Sequence, residues 1–342
     1  MNVKTIGREY GVLLLLGVLG ILIGAAIGAV DVLFGRVLLA VSAVRAAHVM
    51  PLLLFLAPIG VAIVWAYAKY GGISGKGMSL VFEVGHGKES NIPLRLVPFV
   101  MVSTWLTHLF GGSAGREGVA VQLGAALSHS FGKRLEAYIP DAARIFLITG
   151  MAAGFSGLFQ TPIAATLFAI EVLSVGSLAL SALIPAVTAS FTACWVSSAL
   201  GLEKFSVDVS AKLSMDLPLL GKLAVLGVLF GLTGGVFAWG LRQAKTLAAR
   251  ALPQPLVRIA VMGVCLSALL LSGIVGLPVQ LTAALGYAAV FGSATNTMLA
   301  PVLIGAEVFG MSNLPYFFIV CVISFACNRN ASIYTKQYVT QF

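Results

Sequence analysis

Hydrophobic residues run through this 342-residue chain in long blocks separated by short polar segments, not in the one-sided helical rhythm of a soluble core. A membrane-spanning helix needs about 20 mostly apolar residues. Such blocks fall at 11–30, 49–68, 92–112, 143–160, 162–182, 183–202, 217–241, 256–275, 283–309 and 313–327, which predicts about ten helices, some of them re-entrant. The longest polar connections lie at 70–92, 129–142, 203–217 and 242–256, the last reading as a hinge. Composition agrees with the pattern: 59% of the residues are hydrophobic, 10% are charged and mean hydropathy is +1.01. The prediction is an all-α, polytopic membrane protein with a single transmembrane domain over 1–342.

Charge adds orientation to this picture. The net charge of +9 fits basic loops on the cytoplasmic side, and Lys4 and Arg8 ahead of the first block predict a cytoplasmic N-terminus in a multi-pass protein of the cell inner (plasma) membrane. That first block continues without a small-residue cleavage site, so it reads as a retained span and not a signal peptide. Nucleic acid is not implied. Cys194, Cys265, Cys321 and Cys327 sit in apolar segments without metal-ligand spacing and read as packing residues. No metal, nucleotide or organic cofactor is expected.

Against this apolar background one run stands apart: Gly111-Gly112-Ser113-Ala114-Gly115-Arg116-Glu117-Gly118-Val119-Ala120-Val121-Gln122. An ionisable side chain at membrane depth costs roughly 2.5 to 3.5 kcal/mol, so it usually faces a cavity or an ion path. The glycines allow a tight backbone and close approach of an ion, and a helix is predicted from here through 127.

The chain also repeats itself. Gly154-Phe155-Ser156-Gly157-Leu158-Phe159 with the following 160–172 can be laid on Gly286-Tyr287-Ala288-Ala289-Val290-Phe291 with 296–308, after four extra residues, and Glu171 then meets Glu307. The glycine-rich block 13–35 likewise resembles 223–240. Two related halves follow, 1–205 and 206–342, a construction in which transported species are held where broken helices of the halves meet. Thr161-Pro162 reads as a helix start, with threonine as cap and proline at the first helical position. A helix starting inside the membrane presents unpaired N–H groups and is a ready anion site.

These residues resemble the CLC family of anion channels and anion/proton antiporters. Gly115-Arg116-Glu117-Gly118 matches the family's gating-glutamate motif, with Val119 where many members have proline. Gly154 to Phe159 with Thr161-Pro162 resembles the next helix pair, and Ala331-Ser332-Ile333-Tyr334 resembles the helix that delivers a central tyrosine. The resemblance implies an inverted repeat of tilted and broken helices, transport of a halide, and a homodimer with one pathway per subunit. It implies that Glu117 is a gate whose carboxylate competes with the anion and leaves when protonated, that Arg116 is structural, and that Tyr334 donates its hydroxyl to the anion.

Gly77-Met78-Ser79 resembles the family's earlier anion-binding helix end, and with Gly115, Arg116, Gly118, Val119 and Tyr334 it completes the expected anion site. Methionine at 78 and valine at 119 resemble the bacterial fluoride/proton antiporter branch, so fluoride and chloride both stand as the halide, fluoride being the nearer match. Chloride-branch antiporters place a second glutamate directly after the one matching Glu171, but here that position is Val172. Either a channel or a fluoride type of proton coupling is implied. The second-half helix that should supply a further anion-binding end has no counterpart near 272–286, so an internal shortening is expected there.

Other readings compete residue by residue. Glu117 could pair with Arg116, Tyr334 could belong to an interfacial aromatic belt, and Met78 could be plain packing. Glu171 and Glu307 read as structural, capping or hydrogen-bonding within helix packing. Glu83, His86, Lys88 and Glu89 read as a solvated loop in preference to a metal site, and His108 as a satisfied core or interfacial group. An intramembrane serine protease built on Ser156 would need a base within reach, yet all four histidines precede it, at 48, 86, 108 and 129. A non-transporting, shortened relative that only dimerises is the remaining alternative, with Gly305 and Ala169 suited to its interface.

Overall fold

The computed structural model describes residues 3–204, 206, 216–271, 285, 288–289, 291, 297–327 and 338–339. The described helices are α1 (Val3–Ala47), α2 (Val49–Leu53), α3 (Leu56–Ala66), α4 (Met78–Gly85), α5 (Leu96–Leu109), α6 (Arg116–Leu135), α7 (Ala142–Phe159), α8 (Pro162–Glu171), α9 (Leu183–Ala199), α10 (Leu217–Ala251), α11 (Pro255–Leu271), α12 (Leu299–Phe309) and α13 (Leu314–Cys327). The chain is all-α apart from a two-residue parallel ladder, β1 (Ser174–Val175) on β2 (Tyr338–Val339), which ties the C-terminal segment to the exit of α8.

The helices are far less uniform than the apolar blocks. Five described stretches are long and apolar enough to cross a membrane: Tyr10–Ala47, Leu56–Gly85, Ala142–Phe159, Leu180–Ala199 and Leu217–Ala251. The first replaces the predicted span 11–30, because Asp31 and Arg36 do not end the helix; Asp31 is buried in it and Arg36 donates to the Leu200 carbonyl at 2.5 Å. At 45 residues and about 1.5 Å per residue, α1 is roughly twice the hydrocarbon thickness of about 30 Å, so it runs tilted or projects. The block 162–182 is not a span: α8 stops after ten residues, about 15 Å, and the chain turns into β1 and a Gly176 turn at φ 75°. Within 242–256 the break is confined to 252–254: Arg, Gln and Lys lower hydropathy but favour helix, so α10 carries on to Ala251, and Pro253 and Pro255 separate it from α11.

Packing follows from small residues, since lipid gives helices no hydrophobic reason to associate and close backbone contact must supply the attraction. Gly20, Gly24 and Gly28 place one face of α1 directly on Pro185, Ala189 and Ala193 of α9; a Cβ at Gly28 would lie 2.7 Å from the Ala193 carbonyl oxygen. Gly124 of α6 similarly lies on Gly150 and Gly154 of α7, which is buried along nearly its whole length. Elsewhere α1 packs on α9, α10 packs on α13, and α8 meets α12. Gly305 and Ala169 are spent inside the subunit, Gly305 against the Phe317 ring and Ala169 fully buried, so neither is available to a dimer interface.

Candidate functional site

The first turn of α6 carries the motif. Gly115, extended at φ −65° and ψ 122°, is the N-cap, and Arg116 and Glu117 open the helix. Glu117 is half-buried and folds back over the helix end: a Cβ on Gly115 would lie 3.3 Å from its Oε2. Glycine at 115 therefore leaves room for that carboxylate at the positive end of a 20-residue helix, where an anion is favoured. Arg116 turns aside and lays its guanidinium 5.1 Å from the centre of the Phe159 ring.

The start of α4 comes up beside this turn. Gly77 sits at φ 56° and ψ −130°, a conformation open to glycine, and delivers Met78 and Ser79 into the first turn of α4. A Cβ at Gly77 would lie 3.6 Å from Gln122 Oε1, while Gln122 Nε2 donates to the Gly118 carbonyl at 2.9 Å. Gln122, 8% exposed, thus joins the two helix ends. It closes the sequence motif but was not among the expected site residues; its signal was its place one turn beyond Gly118. Met78 is half-buried and packs on the main core, while Val119 is buried at the helix start. Gly77, Met78, Ser79, Gly115, Arg116, Glu117, Gly118 and Val119 are therefore gathered around two facing helix starts. Tyr334, with the rest of 331–334, lies outside the described residues, as does 272–284.

A cavity of ≈350 Å³ opens beside Arg116, with Gly35, Leu38, His108, Leu158 and Lys204 in its wall. His108 is satisfied along its own helix, Nδ1 lying 3.0 Å from the Thr104 carbonyl. Arg116 and Lys204 give this vestibule two cationic groups and Glu203 one acidic group, beside the Glu117 turn.

The start of α8 is a different matter, because a carboxyl of the chain comes up to the Thr161-Pro162 end. Thr161 makes no cap hydrogen bond and its buried hydroxyl has no partner. The carboxyl of Glu307, from α12, comes up instead to the N–H groups of Ile163 and Ala164, and its Oε2 makes no hydrogen bond. Reciprocally, Glu171 at the end of α8 accepts from the N–H of Met298 at 2.6 Å, and from Leu299 and Ala300 at 3.4 Å each, at the start of α12. The two glutamates that coincide in the sequence overlay thus each stand at the start of the other's helix, Glu171 through hydrogen bonds and Glu307 by proximity. A carboxyl group of the chain itself already stands at each of these ends.

One further expectation changes. Glu83 is 7% exposed on α4, not in a solvated loop, and Lys76 Nζ bridges it at 2.8 Å to Glu89 at 2.7 Å. His86 Nε2 lies 2.9 Å from the Leu173 carbonyl, and burial pushes its pKa below the ordinary histidine value. Among the described residues no group of three or more His, Cys, Asp or Glu could hold a metal. Ser156 is fully buried and donates to the Ser190 carbonyl at 2.7 Å, whose own hydroxyl donates to Pro162 at 2.8 Å. That hydroxyl locks α7 to α9 and offers no exposed nucleophile.

Comparison with known proteins bears on this geometry. The family model for the voltage gated chloride channel matches residues 59–276. A chloride/fluoride channel protein of Pseudomonas syringae pv. tomato is 28% identical over 362 residues, covering 84% of this chain and 79% of that protein. The crystal structure of a CLC-type fluoride/proton antiporter superposes with a TM-score of 0.91 at 43% identity, over 96% of this chain and 98% of that one. A slow cyanobacterial Cl−/H+ antiporter superposes with a TM-score of 0.75 at 15% identity, over 94% and 96% of the two chains, a likeness of fold.

Proposed function

Since the chain belongs to the voltage-gated chloride channel family, we propose that it carries a halide, fluoride or chloride, across the membrane in exchange for protons, with Glu117 as the proton-sensitive gate. The observation that carries this reading is the Glu117 carboxylate folded over its own helix start beside the Gly77 end of α4. A carboxylate there competes with a halide for the same N–H groups and dipole. Protonation removes its charge, and the halide takes its place.

Anions enter through the vestibule of Arg116 and Lys204, and Gly77, Met78, Ser79, Gly115, Gly118 and Val119 line the path, with Tyr334 donating its hydroxyl. Fluoride is supported over chloride by Met78, by Val172 in place of a second glutamate, and by the 43% identity to a CLC-type fluoride/proton antiporter. The near-complete span of that likeness, 98% of the antiporter chain, supports a working pathway over a shortened, silent one. A face formed by Leu167, Leu303, Leu314 and Phe318 of α8, α12 and α13, around an apolar cavity of ≈440 Å³, supports a homodimer. The basic N-terminus supports a cytoplasmic start in the inner membrane.

The test is flux from liposomes holding the purified protein. Fluoride efflux with opposing proton movement is expected, with chloride as the competitor that ranks selectivity. Absence of any halide flux from folded protein would overturn the reading.

A further inference from the structure

Asp31 is the most deeply placed acid among the described residues. It lies in the middle of α1, wholly inaccessible, and neither carboxylate oxygen has a hydrogen-bond partner. It takes part in none of the ion pairs among the described residues, which join Lys76 to Glu83 and Glu89, and Arg144 to Asp141. An ionised carboxylate without a partner in such surroundings is far costlier than a neutral one.

The slot is built for it. Asp31 Oδ2 points at Gly157 of α7, where any Cβ would collide with it, and the Cβ would stand 3.1 Å from the carboxyl carbon. Glycine at 157 is thus explained by the acid it accommodates. One turn on along α1 is Gly35, and the residue after Gly157 is Leu158; both belong to the wall of the vestibule that also holds Arg116. The two helices that hold Asp31 therefore also wall the chamber beside the Glu117 turn. Of the other titratable groups near these helices, His108 of α5, Arg116 of α6, and Glu203 and Lys204 after α9 face that vestibule, and Cys194 of α9 is half-buried. None is bonded to Asp31.

We propose that Asp31 is a second proton-carrying acid of the transport cycle, releasing its proton to vestibule water and regaining it as Glu117 opens and closes. No covalent bond other than O–H changes: the carboxyl becomes a carboxylate and the water takes the proton, then the step reverses. This rests on the proton-coupled reading above and deepens it.

The experiment compares wild type and Asp31→Asn in liposomes, with fluoride efflux and proton uptake recorded together. Asparagine keeps the volume and removes the titration, so loss of proton uptake at retained fluoride efflux is expected. An unchanged proton-to-fluoride ratio would overturn the proposal and leave Glu117 untouched, whereas a wild type that moves fluoride without protons would overturn both. Should Asp31→Asn not fold, infrared spectra of aspartate-labelled wild type across a pH step decide: a protonated-carboxyl band that comes and goes with pH is expected. A band fixed at every pH would overturn the proposal.

Discussion

The starts of α6 and α8 obey the same electrostatics and come to opposite ends. Both are helix beginnings within an apolar protein, each with exposed N–H dipoles that attract negative charge. The α8 end is met by Glu307 from the other half of the chain, held among buried residues and matched by Glu171 on α12. The α6 end is met by Glu117 of its own first turn, half-buried, with Gly115 leaving space around it. A carboxylate delivered from a distant, packed helix is fixed; one on a short local tether beside a glycine can leave. The position of the acid, and not the helix end, separates the structural joint from the proposed gate.

That contrast can be broken most sharply at Glu117. Glu117→Gln removes the titrating charge without changing shape, and proton coupling should be abolished while halide flux persists at an altered rate; intact coupling would reduce Glu117 to another cap. Next in size, Glu307→Gln or Glu171→Gln should cost about 1–3 kcal/mol of stability through weakened charge-assisted bonds, read as a lower melting temperature in detergent, with proton coupling unchanged. Uncoupling in either variant would mean that the fixed ends also titrate during transport. Gly77→Ala forces a side chain into φ 56° at a cost of about 1–3 kcal/mol, and should slow halide flux without uncoupling protons. The smallest effect belongs to Gln122→Leu, where loss of one hydrogen bond worth about 0.5–1.5 kcal/mol should shift halide affinity no more than about tenfold, measured by fluoride and chloride competition.

The sequence displayed the gate more clearly than the frame that holds it. Arg116 and Glu117 among glycines are conspicuous because charge is costly in lipid, and the overlay of Glu171 on Glu307 marks both as related positions without showing what they bind. Span lengths were not legible, because hydropathy reports what a segment prefers and not where its backbone turns; α8 reads as a continuation of apolar sequence yet ends at Glu171. Thr161 looked like a cap because local rules favour threonine before proline, and a carboxylate from the other half overrode it. Gln122 was hidden by its ordinary place on a helix, since only the approach of Gly77 gives it meaning. Asp31 was missed for a plainer reason: the apolar block was closed at 30, one residue short of it.

The exchanged caps also bear on how the protein is made. As the chain emerges, α8 enters the membrane long before Glu307 has been synthesised, so its first N–H groups wait, unmet, for a helix that does not yet exist. Glu171 waits in the same way for the start of α12. The first half is therefore unfinished until the second arrives, and a chain interrupted between them would leave a buried carboxylate and an open helix end for the cell's quality control to find.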